Sequence, residues 1–279
     1  MAEILNGKKI ADEILSQLKE KIKNNGIKPK MAIVLCGENP ESLLYVSIKQ
    51  KRSTEVGIDA AIHHFSVTIS QQELEKKIQE ISNSVDGIIV QLPLPKHLHQ
   101  HAILNKIPPE KDIDGLTDYN LGGLINNQEI NVPATAKGVI CLLEKYNILI
   151  KGKEIAIINH SSLIGKPLAM LFLNRGATVT ICHEHTVNLV QHTRKADILV
   201  TAVGIPNFIK SSMIKNKSII IDIGITKKNE KIIGDVSYEE VKEKASFITP
   251  VPGGIGPMTV AMLLDNLITC SLEQNKIKT

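Results

Sequence analysis

Tyr45 and Lys49 are the side chains whose types and spacing most directly suggest chemistry in this sequence. They follow Asn39, which is suited to capping a helix, and Pro40, which suits a first helical turn. The two side chains therefore fall at i and i+4 on one helix face. A lysine partly withdrawn from water has a lowered pKa and can move protons near neutral pH, while a phenol can hold the lysine or the substrate. The pair is a candidate for proton handling, although a solvated helix face gives the same spacing.

Other motifs along the chain place this pair in a wider pattern. The motifs are NPESLLYVSIK (39–49), DGIIVQLPLP (86–95), KDIDG (111–115), GKP (165–167), TAVG (201–204) and PVPGGIGPMT (250–259). Together, in this order, they resemble the bifunctional methylenetetrahydrofolate dehydrogenase/cyclohydrolase family. The resemblance implies oxidation of methylenetetrahydrofolate with a nicotinamide nucleotide, hydrolysis of the methenyl product to formyltetrahydrofolate, and a homodimer.

Composition narrows the class of protein. A chain of 279 residues, 43% of them hydrophobic, is long enough for two domains. The net charge of +4 comes from lysines scattered without aromatic neighbours, which does not indicate nucleic acid and suits anionic small molecules. The 4 cysteines form no Cys-x-x-Cys motif, which indicates reduced thiols. With no signal-like segment and no expected membrane span, we predict a cytoplasmic enzyme that does not bind membranes.

Hydrophobic periodicity predicts an α/β fold in two domains. The first domain is assigned to residues 1–137, with a helix at 8–24 and a β-α-β-α-β series: strands at 31–35, 60–67 and 87–91, a helix that begins at Pro40 and ends at Gly57, and a helix at 71–81. The second is a Rossmann-like domain at 138–256, with strands at 154–159, 177–182, 198–203 and 218–223. A final helix at 257–279 is expected to return to the first domain. The fold class is therefore two α/β domains built on parallel sheets, the first of them three-layered.

The two half-reactions demand different things of the protein. Hydride removal from the methylene carbon leaves a cation that the two adjacent folate nitrogens stabilise, so that step needs positioning more than a base. Hydrolysis must move protons while the ring opens, which makes Lys49 the natural acid/base. By the resemblance, Lys49 matches the catalytic lysine, Tyr45 its companion and Gln91 a glutamine that contacts the lysine. The alternative for Gln91 is a surface residue at a strand end.

Two segments are candidates for holding the folate. A carboxylate accepts paired hydrogen bonds from the amino-pyrimidinone edge of a pterin, and Asp114 resembles the pterin-binding aspartate of the family. Asp112 is an alternative for that role, and a plain turn is another interpretation. The segment Pro252-Gly253-Gly254 lets backbone approach a flat ligand, because glycine has no side chain.

The nucleotide is expected at the loop joining the first strand of the second domain to its helix. This loop departs from the family at Asn159, where Gly is usual, and at His160, where Arg is frequent. The resemblance implies NADP, but His160 and Glu184 favour NAD as the runner-up. A carboxylate at position 184 would accept hydrogen bonds from the ribose hydroxyls of NAD and repel the extra phosphate of NADP, and a histidine at position 160 lacks the permanent charge of an arginine. Lys166 is an alternative source of positive charge. The cofactor-binding candidates are Asn159, His160, Ser161, Gly165, Lys166, Glu184, Gly224, Ile225 and the hinge residue Thr135.

No metal site is predicted. The histidines cluster at His97, His99 and His101 and at His183 and His185, without accompanying ligands at zinc spacing. We interpret them as solvated loop residues.

Two other functions were considered. Short-chain dehydrogenases share the Tyr-x-x-x-Lys spacing, but their nucleotide loop precedes the pair, whereas here it follows by more than a hundred residues. A non-catalytic folate- or nucleotide-binding protein of the same fold is the second alternative. Only the altered nucleotide loop favours it, and the retained Lys49, Gln91 and Asp114 argue against it.

Overall fold

The computed structural model describes residues 1–228 and 231–278, in which parallel strands alternate with helices. The strands are β1 (Glu3–Ile4), β2 (Lys30–Cys36), β3 (Asp59–Phe65), β4 (Gly87–Val90), β5 (Glu154–Ile158), β6 (Thr178–Cys182), β7 (Ile198–Thr201), β8 (Ile219–Asp222), β9 (Thr226–Lys228), β10 (Lys231–Ile233) and β11 (Phe247–Ile248). The helices are α1 (Gly7–Asn25), α2 (Pro40–Val56), α3 (Gln71–Ser82), α4 (Gln100–Leu104), α5 (Asp118–Ile125), α6 (Ala134–Lys145), α7 (Gly165–Asn174), α8 (Leu189–Thr193), α9 (Tyr238–Val241) and α10 (Ile255–Lys278).

The chain divides into two compact units. The three-stranded unit comprises Glu13–Ala134 and the segment from Val260 onward, and the six-stranded unit comprises Met1–Asp12 and Thr135–Thr259. The architecture is the two-domain α/β fold expected from the hydrophobic pattern, so the predicted fold class is confirmed.

The three-stranded unit is built on a parallel sheet of order β3-β2-β4. Its central strand β2 is buried from Met31 to Cys36, as expected when a strand has neighbours on both sides and helices on its faces. Val34 lies opposite Val90, and the Gln91 N–H extends this pairing by donating to the Val34 carbonyl at 2.8 Å. The register therefore fixes Gln91 at the carboxyl end of β4.

Helix α2 begins and ends as its sequence predicts. The Asn39 side chain accepts from the backbone N–H groups of Glu41 and Ser42, both at 3.0 Å, and Pro40 occupies the first turn. Gly57 ends the helix with φ of 91°, a left-handed conformation that glycine adopts without strain. Within these bounds Tyr45 and Lys49 lie at i and i+4, on one face of α2.

The six-stranded unit contains a parallel sheet of order β1-β11-β8-β7-β5-β6. From β5 onward the chain first adds β6 on one side and then β7, β8 and β11 on the other. This reversal creates a topological switch point between β5 and β7, where ligands of such sheets bind beyond the carboxyl ends of the strands. Strands β7 and β8 are fully buried, which makes them the centre of the core.

The amino-terminal segment differs from the sequence expectation. Residues 1–12 were assigned to the first domain, but they belong to the six-stranded unit. There β1 pairs with β11, Glu3 opposite Phe247 and Ile4 opposite Ile248. A strand of 2 residues has no readable periodicity, and its partner lies far along the chain. The junctions between units also differ slightly, at 134/135 instead of 137/138 and at 259/260 instead of 256/257.

Helix α10 is a core helix of unusual length. By length and composition alone Ile255–Lys276 could cross a membrane, which is weak evidence that core helices of soluble proteins also meet. Two-thirds of its most apolar window (67%) is buried inside the protein, as expected of a core helix. In the three-stranded unit, the Asn266 amide donates to the carbonyls of Ile113 and Val132, each at 2.9 Å. These bonds anchor the last helix where the sequence analysis expected it to return.

Candidate active site

Lys49 and Gln91 are in direct contact. The Lys49 Nζ donates to the Gln91 Oε1 at 2.9 Å, and the Gln91 Nε2 donates to the carbonyl of Leu92 at 2.7 Å. The second bond orients the amide so that its oxygen faces the lysine. Both side chains are half-buried. The Leu92-Pro93 peptide bond that follows Gln91 is cis.

Two opposing influences act on the pKa of Lys49. Burial lowers the pKa of Lys49, while the charge of Asp114 opposes that shift. Burial also raises the pKa of Asp114. The positive charge of Lys49 lowers this pKa, and the negative charge of Asp112 raises it. The pKa of Tyr45 is raised, by burial first and then by Glu41. Lys49, which lies one turn after Tyr45, can therefore give and take protons near neutral pH more readily than an exposed lysine.

Asp112 and Asp114 have different surroundings. The buried Asp112 carboxylate accepts from the N–H groups of Gly115 at 2.9 Å and Thr117 at 2.7 Å, and from the Asn120 amide at 2.9 Å. Donors from the turn and from α5 therefore occupy the Asp112 carboxylate. Among the described residues, no hydrogen-bond donor reaches the Asp114 carboxylate, which leaves its oxygens available to a ligand.

Ser42 is a polar residue that the sequence analysis did not single out. It is only 2% exposed, and its hydroxyl has no hydrogen-bond partner among the described residues. On α2 it lies three residues before Tyr45 and seven before Lys49, so the three side chains share a face. Its place in the Asn39-Pro40-Glu41-Ser42 motif was the available signal.

The Pro252-Gly253-Gly254 segment lies in the six-stranded unit, where α1 begins. The Lys8 N–H donates to the Gly253 carbonyl at 2.8 Å, and a side chain at Gly7 would come within 1.9 Å of the Gly254 carbonyl. Gly253 has φ of 106°, which disfavours any residue with a side chain. Close packing of backbone on backbone explains these glycines and leaves room for a ligand role as well.

The switch point of the six-stranded unit holds a cavity of about 590 Å³. Its walls come from the segments that follow β5, β6 and β7, as the topology requires. The residues that line it are Ile158, Asn159, His160, Ser161, Cys182, His183, Glu184, Thr186, Leu189, Ala202, Val203, Ile205 and Phe208. An apolar interior with a few polar groups at its edge suits an adenine ring and its ribose.

Asn159 organises the loop between β5 and α7. Its Oδ1 accepts from the Ser161 N–H at 2.9 Å, the Ser161 hydroxyl at 2.7 Å and the Gly165 N–H at 3.0 Å. Its Nδ2 donates to the Ala202 carbonyl at 2.7 Å, on the segment after β7. A side chain at Gly165 would come within 1.9 Å of the Asn159 carbonyl. Asn in place of the usual Gly therefore ties the loop together.

Histidines surround Glu184 at one wall of the cavity. The His160 Nδ1 lies 3.7 Å and the His185 Nε2 3.8 Å from the Glu184 carboxylate. The His183 ring packs edge-on against both histidines, with centroids 5.3 and 5.9 Å away. The sequence analysis treated His183 and His185 as solvated loop residues and missed this cluster. Lys166 is exposed and is not among the described residues that line the cavity.

The sequence analysis also missed two buried carboxylates. Asp235 accepts from the Thr201 hydroxyl at 3.0 Å and from the N–H groups of Val203 at 2.7 Å and Ile205 at 3.0 Å. Asp222 accepts from the N–H groups of Gly224, Asp235 and Val236. Burial raises the pKa of Asp222 to about 6, against the N–H bonds that lower it. The pair fixes the segments after β7 and β8.

The remaining predicted residues lie in the same unit. A side chain at Gly224 would come within 2.1 Å of Asp235, and Ile225 beside it is 43% exposed. Thr135, in the first turn of α6, accepts from the Thr259 hydroxyl at 3.2 Å. Within residues 1–228 and 231–278, no group of three or more His, Cys, Asp or Glu side chains is arranged to hold a metal ion.

The two parallel sheets, the switch-point cavity and the half-buried lysine define a two-domain α/β enzyme with a nucleotide-binding domain. Two family models match the chain: the tetrahydrofolate dehydrogenase/cyclohydrolase catalytic domain over residues 5–114 and the NAD(P)-binding domain over residues 133–275. The chain belongs to the tetrahydrofolate dehydrogenase/cyclohydrolase family.

Individual relatives cover the whole chain. The bifunctional protein FolD of Thermodesulfovibrio yellowstonii is 46% identical over 99% of both chains. The bifunctional FolD structure from Campylobacter jejuni is 42% identical with a TM-score of 0.96, covering 98% of this chain and 100% of the other. The Trypanosoma brucei FolD, solved with NADP and an inhibitor, is 32% identical with a TM-score of 0.93 over 99% of both chains.

Proposed function

We propose that this protein oxidises 5,10-methylenetetrahydrofolate to 5,10-methenyltetrahydrofolate with NAD(P), and then hydrolyses the product to 10-formyltetrahydrofolate. Family membership over both domains supports the pair of activities. The contact between Lys49 and Gln91, in surroundings that lower the pKa of the lysine, is the observation that carries the hydrolytic step. The enzyme thus interconverts the one-carbon units carried by tetrahydrofolate.

For the dehydrogenase step, the protein acts chiefly by positioning. The nicotinamide cofactor, when bound, accepts the hydride from the methylene carbon, and the folate nitrogens stabilise the resulting cation. The cavity after β5, β6 and β7 fits a nucleotide, because its walls are apolar and its edge carries Ser161 and Glu184. Asn159 holds the loop in one conformation through its bonds to Ser161 and Gly165. A fixed loop keeps the bound nucleotide in one place.

For the cyclohydrolase step, Lys49 is the proton carrier. Water adds to the methenyl carbon, the bond from that carbon to N5 of the folate breaks, and N5 gains a proton. A lysine with a lowered pKa can take the proton of the attacking water and return one to N5, with one proton released overall. Gln91 holds the ammonium group in place through its 2.9 Å bond, and Tyr45 occupies the same helix face.

Asp114 is the residue that we assign to folate binding. Its carboxylate is available, whereas that of Asp112 is used within its turn. Paired hydrogen bonds from the amino-pyrimidinone edge of the pterin fit such a carboxylate. The backbone of Pro252-Gly253-Gly254 is a second candidate for contact with the flat ligand.

For the cofactor, we assign NADP as the default with weak discrimination against NAD. His160 stands where the family frequently has a permanently charged arginine. Glu184, at the same wall of the cavity, would repel a phosphate and accept hydrogen bonds from ribose hydroxyls. The efficiencies with NADP and NAD should lie within about tenfold of each other, or about 1.4 kcal/mol. Glu184→Ser should shift the preference further toward NADP. A parent enzyme that favours NADP by several hundredfold, or an unchanged ratio in the variant, would contradict the role of Glu184.

The protein is further expected to be cytoplasmic and homodimeric.

One assay distinguishes the proposed enzyme from the alternative function, a non-catalytic folate- or nucleotide-binding protein. Purified protein is mixed with methylenetetrahydrofolate and either NADP or NAD, and methenyl formation is followed by its absorbance. Turnover with either cofactor supports the proposal. Binding of both ligands without turnover would favour the non-catalytic alternative.

A further inference from the structure

His160 and Glu184 form an ion-pair arrangement at the wall of the nucleotide cavity. The His160 Nδ1 lies 3.7 Å from the Glu184 carboxylate, and the side chains are 52% and 64% exposed. Both residues line the cavity. Because the two groups share one wall, a ligand that reaches one meets the charge of the other.

His183 and His185 have different roles in this cluster. The His185 backbone N–H donates to the His183 Nδ1 at 3.2 Å, so that nitrogen acts as an acceptor and protonating it would break the bond. His185 approaches Glu184 but does not line the cavity. His160 is therefore the imidazole of the cluster that both lines the cavity and has its Nδ1 turned toward Glu184.

Other charged groups do not provide a permanent cation at this wall. The remaining described residues of the lining are apolar or uncharged, apart from His183 and Glu184 themselves. Lys166 on α7 and Arg194 beside α8 are not among the described residues that line the cavity. A backbone N–H hydrogen bond lowers the pKa of Glu184, removal from water opposes this shift, and the nearby histidines lower the pKa further. The carboxylate thus remains charged over the pH range in which histidine titrates.

We propose that the charge of His160, set against the fixed negative charge of Glu184, makes the preference for a 2′-phosphorylated nucleotide depend on pH. With His160 protonated, the wall offers a cation to a 2′-phosphate and an acceptor to ribose hydroxyls. With His160 neutral, the net charge of the His160–Glu184 pair is negative, so the phosphate is repelled while an unphosphorylated ribose still binds. Discrimination in favour of the phosphate should therefore decline as pH rises. The inference rests on the proposed nucleotide site.

Two probes isolate this effect, because 2′,5′-ADP and 5′-AMP differ only in the 2′-phosphate. Their affinities are measured calorimetrically at pH 6.5 and 8.5. The 2′-phosphate gains part of its second negative charge over this range, and comparison with His160→Ala subtracts that contribution. We expect the ratio of affinities that favours 2′,5′-ADP to fall about fivefold or more between these values in the parent. His160→Ala should give a low ratio at both values, and His160→Arg a high ratio at both.

Two further variants complete the design. Glu184→Gln should raise the ratio at both pH values, because it removes the repelling charge. His192→Ala changes a histidine of the same unit that does not line the cavity, and it should behave as the parent.

A ratio that is constant in the parent, or one that changes equally in His160→Ala, would overturn the inference while leaving the nucleotide site intact. If the parent binds neither probe, the nucleotide assignment fails and the inference fails with it.

Discussion

Burial and one hydrogen bond make Lys49 suited to proton transfer. An exposed lysine stays charged at neutral pH and gives up its proton poorly. Here burial lowers its pKa, Asp114 limits that shift, and Gln91 holds the Nζ at 2.9 Å. A lysine with a lowered pKa and a fixed Nζ is suited to proton transfer.

Lys49→Met should separate the two activities. It removes the proton carrier but nearly preserves side-chain volume, so cyclohydrolase activity should be lost while part of the dehydrogenase activity persists and methenyl product accumulates. Both rates are measured by absorbance. Lys51→Met, an exposed change two residues further along α2, is the matched control. Equal loss of both activities in a folded variant that still binds folate would refute the assignment.

Asp114→Ala should act through binding. Loss of the carboxylate removes the paired hydrogen bonds to the pterin, so folate affinity should fall by about tenfold or more, while nicotinamide nucleotide affinity is retained. Both affinities are measured by titration. Asp118→Ala, at an exposed carboxylate nearby in sequence, serves as the control. Unchanged folate affinity in Asp114→Ala would rule out the role.

At the scale of elements, the shape of the nucleotide cavity depends on the loop segments after the strands, which polar side chains hold in place by hydrogen bonds. Asn159 links the segments after β5 and β7, and Asp235 fixes the segment after β7 through Thr201, Val203 and Ile205. Asp235 is fully buried, and its bond to the buried Thr201 hydroxyl is formed away from water. The shape of the cavity therefore follows from loop anchoring as much as from the strands.

Asp235→Asn should loosen this anchoring. An amide cannot accept all three bonds, so at least one of the three donors loses its partner, at a cost of about 1 to 2 kcal/mol in the free energy of unfolding. The affinity for nicotinamide nucleotide should fall severalfold, while folate affinity stays unchanged. Denaturant unfolding and ligand titration measure the two effects, with Glu243→Gln as an exposed control in the same unit. Reduced stability with unchanged nucleotide affinity would mean that the residue is only structural.

At the scale of the whole molecule, each of the two units is assembled from two segments that are far apart in the sequence. The three-stranded unit takes in the last part of α10, whose Asn266 donates to the carbonyls of Ile113 and Val132. Leu267 lies so close to β4 that a side chain at Gly87 would come within 2.7 Å of it. The end of the chain therefore completes the core around the candidate folate site.

Asn266→Ala should test this dependence. The change leaves two buried carbonyls without these donors, and we expect a loss of about 2 to 4 kcal/mol in the free energy of unfolding. Thermal unfolding followed by circular dichroism would show a lower midpoint, and Glu273→Ala, exposed on the same helix, should change stability by less than about 0.5 kcal/mol. An unaltered midpoint in Asn266→Ala would show that the Asn266 bonds do not stabilise this unit.

The sequence by itself determined the features that depend on neighbouring residues. Asn39, Pro40 and Gly57 specify the ends of α2, and the apolar runs of β2, β5, β7 and β8 specify buried parallel strands, because caps and periodicity are local. The motifs also pointed to the family and to the spacing of Tyr45 and Lys49. Short elements such as β1 and β11 lack enough residues to show a period.

Only the tertiary structure decided which distant side chains meet. The sequence gives no reason why His160 should approach Glu184. It also leaves open which carboxylate, Asp112 or Asp114, accepts the backbone hydrogen bonds of the turn. Nor does it show that Asp235 anchors the segment after β7. These contacts depend on strand order and on packing between segments far apart in the chain. Local propensity and periodicity carry no information about such contacts, because they are set when the segments pack together.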